Sequence, residues 1–432
     1  MSAHPNDLTR RSLRRRGTPW RRSLVAVGLA GVLALAAGCT DDKSPEWSGG
    51  GKTDGNTDTG SKLSATITAP AADATDVPTA AEITYTMANA TEGAVELKSA
   101  SGEVVTGKPH PDGKSWVPDK QLQYGTKYTA TVTVTGDGGK TATATQTFTT
   151  MAEPGNLIRV STYLGDGMVL GVGMPLMVTF GREIPEDMRD DVQRRLFVST
   201  TPPQEGVWHW VSPTEVRYRP KVYWKPGTKL SYRAAAGGLP MGGGWYGRAD
   251  LTIDASVGPA VVMVVDNATK KMTVTRDGKL LRTIPVSLGK KSTPSSYGTM
   301  LIMEKYRKTV FDTFKELGPE EGYRINIEYA QRLTWGGEFI HSAPWSVNAQ
   351  GRTNVSHGCV NMSPANATWL FGITKVGDPV TVKGTERKVQ VGNGFTDWNL
   401  TWEQYVKGSA LPYAPPAAPA PPAATPSATP TG

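Results

Sequence analysis

Cys359 is the residue in this chain best suited to covalent chemistry, and two histidines lie near it in sequence. It sits in the run NVSHGCVNMSPAN, two residues after His357 and eighteen after His341. The chain has one other cysteine, Cys39. A thiol attacks a carbonyl as its thiolate, and an ordinary cysteine is mostly protonated at neutral pH. A neighbouring imidazole can take that proton and return it to a leaving amine. In an extended segment, residues two apart face the same side, so His357 can reach Cys359, although Gly358 between them can equally turn it away. His341, in GGEFIHSAPWS, reads as the end of a neighbouring strand, on the opposite arm of a loop-connected pair. Gly358 lets a backbone come close to the reacting carbonyl, so the N–H groups of Gly358 and Cys359 can form an oxyanion hole. The same three side chains, two histidines and a cysteine, are of types that ligate zinc. No H-x-x-E-H or similar cluster accompanies them, and His4 and His110 lie in unrelated regions, so no metal and no cofactor is expected.

The N-terminus places this chemistry outside the cytoplasm. An arginine run precedes SLVAVGLAGVLALAAGCT, which reads as a positive region, an apolar stretch and a small-residue cleavage site. The apolar stretch is shorter than the roughly 20 residues a membrane span needs. AAGC resembles a bacterial lipobox, which implies lipidation of Cys39 as the mature N-terminus. An ordinary secretory signal is the plainer alternative, and the paired arginines also fit twin-arginine export. Either way Cys359 is a free thiol in an oxidising compartment, where an unpaired cysteine is unusual.

Charge excludes one class of partner. The net charge is +8, but residues 1–38 hold seven arginines and one aspartate, or +6, which leaves +2 for the rest. No basic patch is implied, and no nucleic-acid partner is expected.

The elements that must position Cys359 read as mainly β. At 432 residues the chain is long enough for several domains. Residues 39–62 are a polar, Gly-rich tether. Residues 63–151 and 152–256 carry short alternating runs such as YTATVTVTG and EVRYRP, punctuated by turn residues, and are expected to be two tandem immunoglobulin-like β-sandwiches. YGTKYTA and PGTKLSY echo each other, with Gly125 and Gly227 one such domain apart. The sandwiches are expected to space or buttress. His209, between Trp208 and Trp210, reads as a packed or surface residue. Residues 257–384 begin as an antiparallel meander, and SPANATWLFGIT offers a Ser cap and an early Pro for a short helix. Residues 385–413 are Trp-rich, with Trp398, Trp402 and Tyr405 near helical spacing, and should pack back onto the body. Residues 414–432 are Pro/Ala low complexity.

HSAPWSVNAQGRTNVSHGCVNMSP closely resembles the signature of the L,D-transpeptidases, with their YkuD-type catalytic domain. His341, Ser356, His357, Gly358, Cys359 and Asn361 match that signature in order. The resemblance covers roughly residues 258–413 and implies a β-sandwich catalytic domain. Lipobox, two immunoglobulin-like domains and catalytic domain in series resemble the actinobacterial members. The resemblance implies Cys359 as nucleophile, His341 as general base and the Ser342 backbone carbonyl as the group orienting the imidazole. His357, Ser356 and Asn361 would shape the site, with Gly358 beside the oxyanion hole. Tyr323 and Trp345 would line the donor pocket. Phe311 would join them from the segment 300–322, which differs in length from its relatives.

The family's activity implies cleavage before the terminal D-alanine of a peptidoglycan tetrapeptide stem, an acyl-enzyme on the L-centre of diaminopimelate, and a 3→3 cross-link to a neighbouring stem amine. It implies donor and acceptor stems as partners, carbapenem-type β-lactams as inhibitors, and a lipid-anchored monomer on the outer face of the membrane. A carboxypeptidase and a protein-to-peptidoglycan ligase use the same acyl-enzyme, and the sequence leaves the acceptor open. A wall-binding lipoprotein without catalysis is the non-enzymatic alternative.

Overall fold

The computed structural model describes residues 62–110, 113 and 115–413, so the export signal, Cys39, most of the tether and the Pro/Ala tail lie outside the described residues. Among the described residues, no helix is long and apolar enough to cross a membrane.

Alternation builds the first sandwich. In Lys127–Thr135, Tyr128, Ala130, Val132 and Val134 are buried while the residues between them are not. They pack with Ile83, Leu97 and Phe148 between a four-stranded and a five-stranded sheet. A second pair of four-stranded sheets follows, around Val178, Trp208, Val216, Trp224 and Tyr232. The sequence echo has a structural counterpart. Gly125 and Gly227 both have positive φ, at 58° and 80°. Each opens the turn into a long strand, Lys127–Thr135 and Lys229–Ala234. Their N–H groups donate to the carbonyls of Met151 and Val257, near the C-terminal end of each sandwich.

The strands from Val261 onward form two sheets around Met263, Val274, Met300, Ile340, Val360 and Leu370. The six-stranded sheet runs Lys279–Pro285, Lys271–Arg276, Val261–Asp266, Pro379–Lys383, Ser296–Leu301, Arg387–Lys388. The expected meander is therefore only one half of it. Pro379–Lys383 returns from far along the chain to lie parallel to Val261–Asp266 and antiparallel to Ser296–Leu301. The four-stranded sheet runs Glu304–Asp312, Arg324–Arg332, Phe339–Ser342, Val360–Met362. Its first two strands are joined across a short helix, Phe314–Glu321, kinked at Gly318. The helix Pro364–Ile373 starts where the sequence places it, with the Ser363 side chain accepting from the Asn366 N–H.

Residues 385–413 do not form one helix. Arg387–Lys388 joins the six-stranded sheet, Asp397–Asn399 is a single 3-10 turn, and Trp402–Val406 is a separate helix. The break falls at Thr401, whose side chain caps the new helix in a reciprocal pairing with Gln404. Trp398 therefore does not share a helix with Trp402 and Tyr405. The segment packs onto the second sandwich. Phe395 enters that core, the buried Tyr405 ring stacks on His209 at 4.5 Å, and Arg219 lies over both Trp398 and Tyr405. Asp397 and Arg217 pair at 2.9 Å with side chains only 1% and 6% exposed. Asp397→Ala leaves Arg217 with the more exposed Glu215 as its carboxylate partner. Breaking a buried pair from one side costs about 3 kcal/mol, and denaturant unfolding should show a loss of that order.

Candidate active site

The strand Phe339–Ser342 lies parallel to Val360–Met362, with His341 opposite Asn361 and Ile340 opposite Val360. This register puts Cys359, just ahead of the second strand, beside the start of the first. His341 and Cys359 line one cavity of about 360 Å³ with Phe311, Tyr323, Trp345, Ser356, His357 and Asn361. All the side chains expected at the site are thus brought to one place. Residues that the sequence did not mark as site residues join them: Arg324, Ile325, Ile327 and Val355. Tyr323, Ile325 and Ile327 follow the two-residue period of a strand, so Tyr323 was the signal for the other two. Arg324 adds a mostly exposed cationic side chain to the lining, 3.9 Å from the Asp312 carboxylate.

His341 is almost fully buried. Its Nδ1 lies 2.8 Å from the Ser342 carbonyl oxygen. A carbonyl can only accept, so Nδ1 carries the proton and Nε2 keeps a bare lone pair. The ring is wedged between Phe311 and Trp345, at 5.3 and 6.0 Å. Burial pushes its pKa down to about 4, partly opposed by the Ser342 hydrogen bond. The imidazole is neutral at physiological pH.

Cys359 is half-buried, with Sγ 3.8 Å from the Gly337 carbonyl. Burial pushes the thiol up to about 12, opposed by a hydrogen bond with the Phe339 backbone and reinforced by the nearby Glu338 carboxylate. The upward direction means that this environment favours the neutral thiol over the thiolate. The proximity is felt in reverse at Tyr323, whose hydroxyl is raised first by burial and then by Cys359.

The loop carrying Cys359 is fixed by two serines. Ser356 Oγ donates to the Cys359 carbonyl at 2.7 Å and accepts from the Gly358 N–H at 3.1 Å. Ser295 Oγ donates to the Gly358 carbonyl at 2.7 Å. Gly358 has a φ of 130°, which only glycine adopts readily. One expectation changes here. The Gly358 N–H is already engaged by Ser356, so of the two amides expected in an oxyanion hole only that of Cys359 remains for a substrate oxygen. The positive φ of Gly358 also interrupts the extended geometry between His357 and Cys359, one of the two possibilities the sequence left open. The His357 ring instead lies 5.5 Å from that of Tyr323. Asn361 donates from Nδ2 to Ser346 Oγ at 3.3 Å. Its buried Oδ1 has no partner, which leaves an acceptor on a residue that lines the cavity. Among the described residues, no group of three or more His, Cys, Asp or Glu side chains is arranged to hold a metal.

A model of the L,D-transpeptidase catalytic domain matches residues 260–382, and a bacterial immunoglobulin domain model matches 74–239, spanning both sandwiches. L,D-transpeptidase 2 of Mycobacterium tuberculosis is 36% identical over 354 residues, covering 81% of this chain and 85% of its own. The chain belongs to the L,D-transpeptidase family. L,D-transpeptidase 5 of the same species is 33% identical, over 81% of this chain and 77% of its own. A solved L,D-transpeptidase in complex with imipenem is 38% identical, over 53% of this chain and all of that one, with a TM-score of 0.46. The family assignment agrees with the mainly β architecture, immunoglobulin-like domain and catalytic domain together.

Proposed function

We propose that this L,D-transpeptidase forms 3→3 cross-links in peptidoglycan through an acyl-enzyme on Cys359. The observation that carries the proposal is a neutral, oriented imidazole sharing a cavity with the free thiol. His341 Nε2 takes the S–H proton as Sγ attacks the carbonyl at the L-centre of diaminopimelate, and the Cys359 N–H stabilises the oxyanion. The C–N bond to the terminal D-alanine then breaks, and the His341 imidazolium protonates the leaving amine. In the second half-reaction an amine of a neighbouring stem attacks the thioester. His341 takes the amine proton and returns it to sulfur as the C–S bond breaks. The Ser342 carbonyl holds the tautomer, in the place of the third member of a triad. The unpartnered Oδ1 of Asn361, a residue of the cavity lining, supports a role in accepting a stem N–H. Phe311, Tyr323, Trp345, Ile325 and Ile327 supply apolar wall for the stem, and His357 shapes the loop. The strained ring of a carbapenem offers the same sulfur an acyl group, and such compounds should inactivate the enzyme. The lipobox-like sequence at Cys39 supports a lipid-anchored location on the outer face of the membrane, where stems are found.

The test is incubation of the chain with a disaccharide–tetrapeptide, with products read by mass spectrometry. A dimer lacking one D-alanine, cross-linked between two diaminopimelate residues, is the expected product. A tripeptide without dimer would make the enzyme a carboxypeptidase. Stem joined only to an added protein amine would make it a ligase. No turnover and no carbapenem adduct on folded protein would leave a wall-binding role.

A further inference from the structure

The face of Gly358 turned away from the cavity rests on an ion pair that the steps above do not use. Glu338 is 7% exposed and directly precedes the strand that carries His341. Its Oε1 accepts from Ser296 Oγ at 2.7 Å and its Oε2 from the Ser296 N–H at 3.1 Å. Arg387, from the C-terminal segment, donates from Nη2 to Oε1 and from Nε to Ser296 Oγ at 3.2 Å. A Cβ built on Gly358 would lie 3.6 Å from Glu338 Cγ and 3.8 Å from Arg387 Nη2. The pair is thus the floor under the nucleophile loop, and the adjacent Ser295 ties that loop down through the Gly358 carbonyl.

A buried carboxylate is a poor neighbour for a sulfur that must gain negative charge. We propose that Arg387 is a positioning residue that neutralises Glu338 beneath Cys359, so that the C-terminal segment supplies part of the electrostatic environment of the active site. Glu338 is needed structurally, because it accepts two hydrogen bonds from Ser296 and anchors the strand of His341. Its charge is balanced by the half-exposed guanidinium of Arg387. The other titratable or charged groups around the sulfur are His341, His357, Tyr323 and Arg324, all on the cavity side. Of these only Arg324 carries a fixed positive charge, and it is largely exposed to solvent.

The inference rests on Cys359 being the reactive group, and the test separates the two ideas. Full-length protein is alkylated with iodoacetamide between pH 6 and 9, and the Cys359 peptide is followed by mass spectrometry. This reaction reports thiol ionisation whatever the substrate is. In Arg387→Met, the rising limb should move up by about one pH unit, a roughly tenfold slower reaction at a given pH. Arg387→Lys should restore the wild-type limb. Glu338→Gln/Arg387→Met, which removes the unpaired charge and keeps a side chain that can accept from Ser296, should come within about twofold of wild type. An unshifted limb in folded Arg387→Met overturns the proposal. So does a double variant as slow as the single one, which would make Arg387 a purely structural prop. A normal alkylation pattern without stem turnover would instead count against the transpeptidase chemistry alone.

Discussion

Cys359→Ala is expected to abolish covalent capture of a carbapenem and leave the chain folded. The sulfur's polar contacts are to backbone alone, a long one at the Gly337 carbonyl and one at Phe339, and its loop is held by Ser356 and Ser295 rather than by the thiol. Losing one half-buried heavy atom costs about 1 kcal/mol or less, while losing the nucleophile removes the only acylation route. Mass spectrometry of the intact chain should show a single adduct on wild type, mapped to the Cys359 peptide, and none on the variant. An adduct that persists in Cys359→Ala would place the reactive group elsewhere and undo the assignment.

His341→Ala should slow acylation by about 10²- to 10⁴-fold, the usual worth of a positioned proton acceptor. The expected pH dependence follows from the imidazole being held neutral down to about 4. A base with a lowered pKa stays competent into mild acid. Wild-type acylation should therefore lose little of this group's contribution between pH 7 and pH 5, and lose it as pH falls through about 4. The alanine variant should lack that limb. His357→Ala should be milder, because the Gly358 turn sets its ring near Tyr323. Equal losses for the two histidines, or a wild-type limb near pH 6.5, would contradict the assignment of His341 as base.

Much of this was legible from local signals. Alternation in YTATVTVTG marks a half-buried strand, Ser363 and Pro364 mark a helix start, and the His341–Cys359 run names the chemistry through residues close in sequence. Pairings between distant segments were not legible. Nothing in DPVTVKGT says that it threads between Val261–Asp266 and Ser296–Leu301, because a short apolar strand fits any buried slot of the right length. The half of the oxyanion-hole expectation that fell on Gly358 changed for a similar reason. Ser356 was visible beside Gly358, but whether its hydroxyl would occupy the glycine amide depends on a positive φ that sequence does not state. Glu338 and Arg387 are single charged residues 49 positions apart, and only the folded sheet brings them together. The Trp-rich segment looked helical by spacing, yet Thr401 also satisfies a cap, and the cap decided where the helix begins.

The C-terminal segment has a consequence for how this protein can be divided. Phe395 belongs to the core of the second sandwich, and so do Leu301 and Met303 from the far side of the seam. Trp398 Nε1 donates to the Gly173 carbonyl at 2.7 Å. The polypeptide leaves the second sandwich, builds the catalytic sheets and then comes back to finish what it left. Neither piece of a cut near residue 257 is self-sufficient: one lacks its closing residues and the other bares an apolar flank. The second sandwich and the catalytic region are therefore a single unit of expression, degradation and recombination. The first sandwich contributes only Ala80 to that shared core and is joined to the second mainly by polar contacts, among them the largely buried Glu82–Arg195 pair at 3.0 Å.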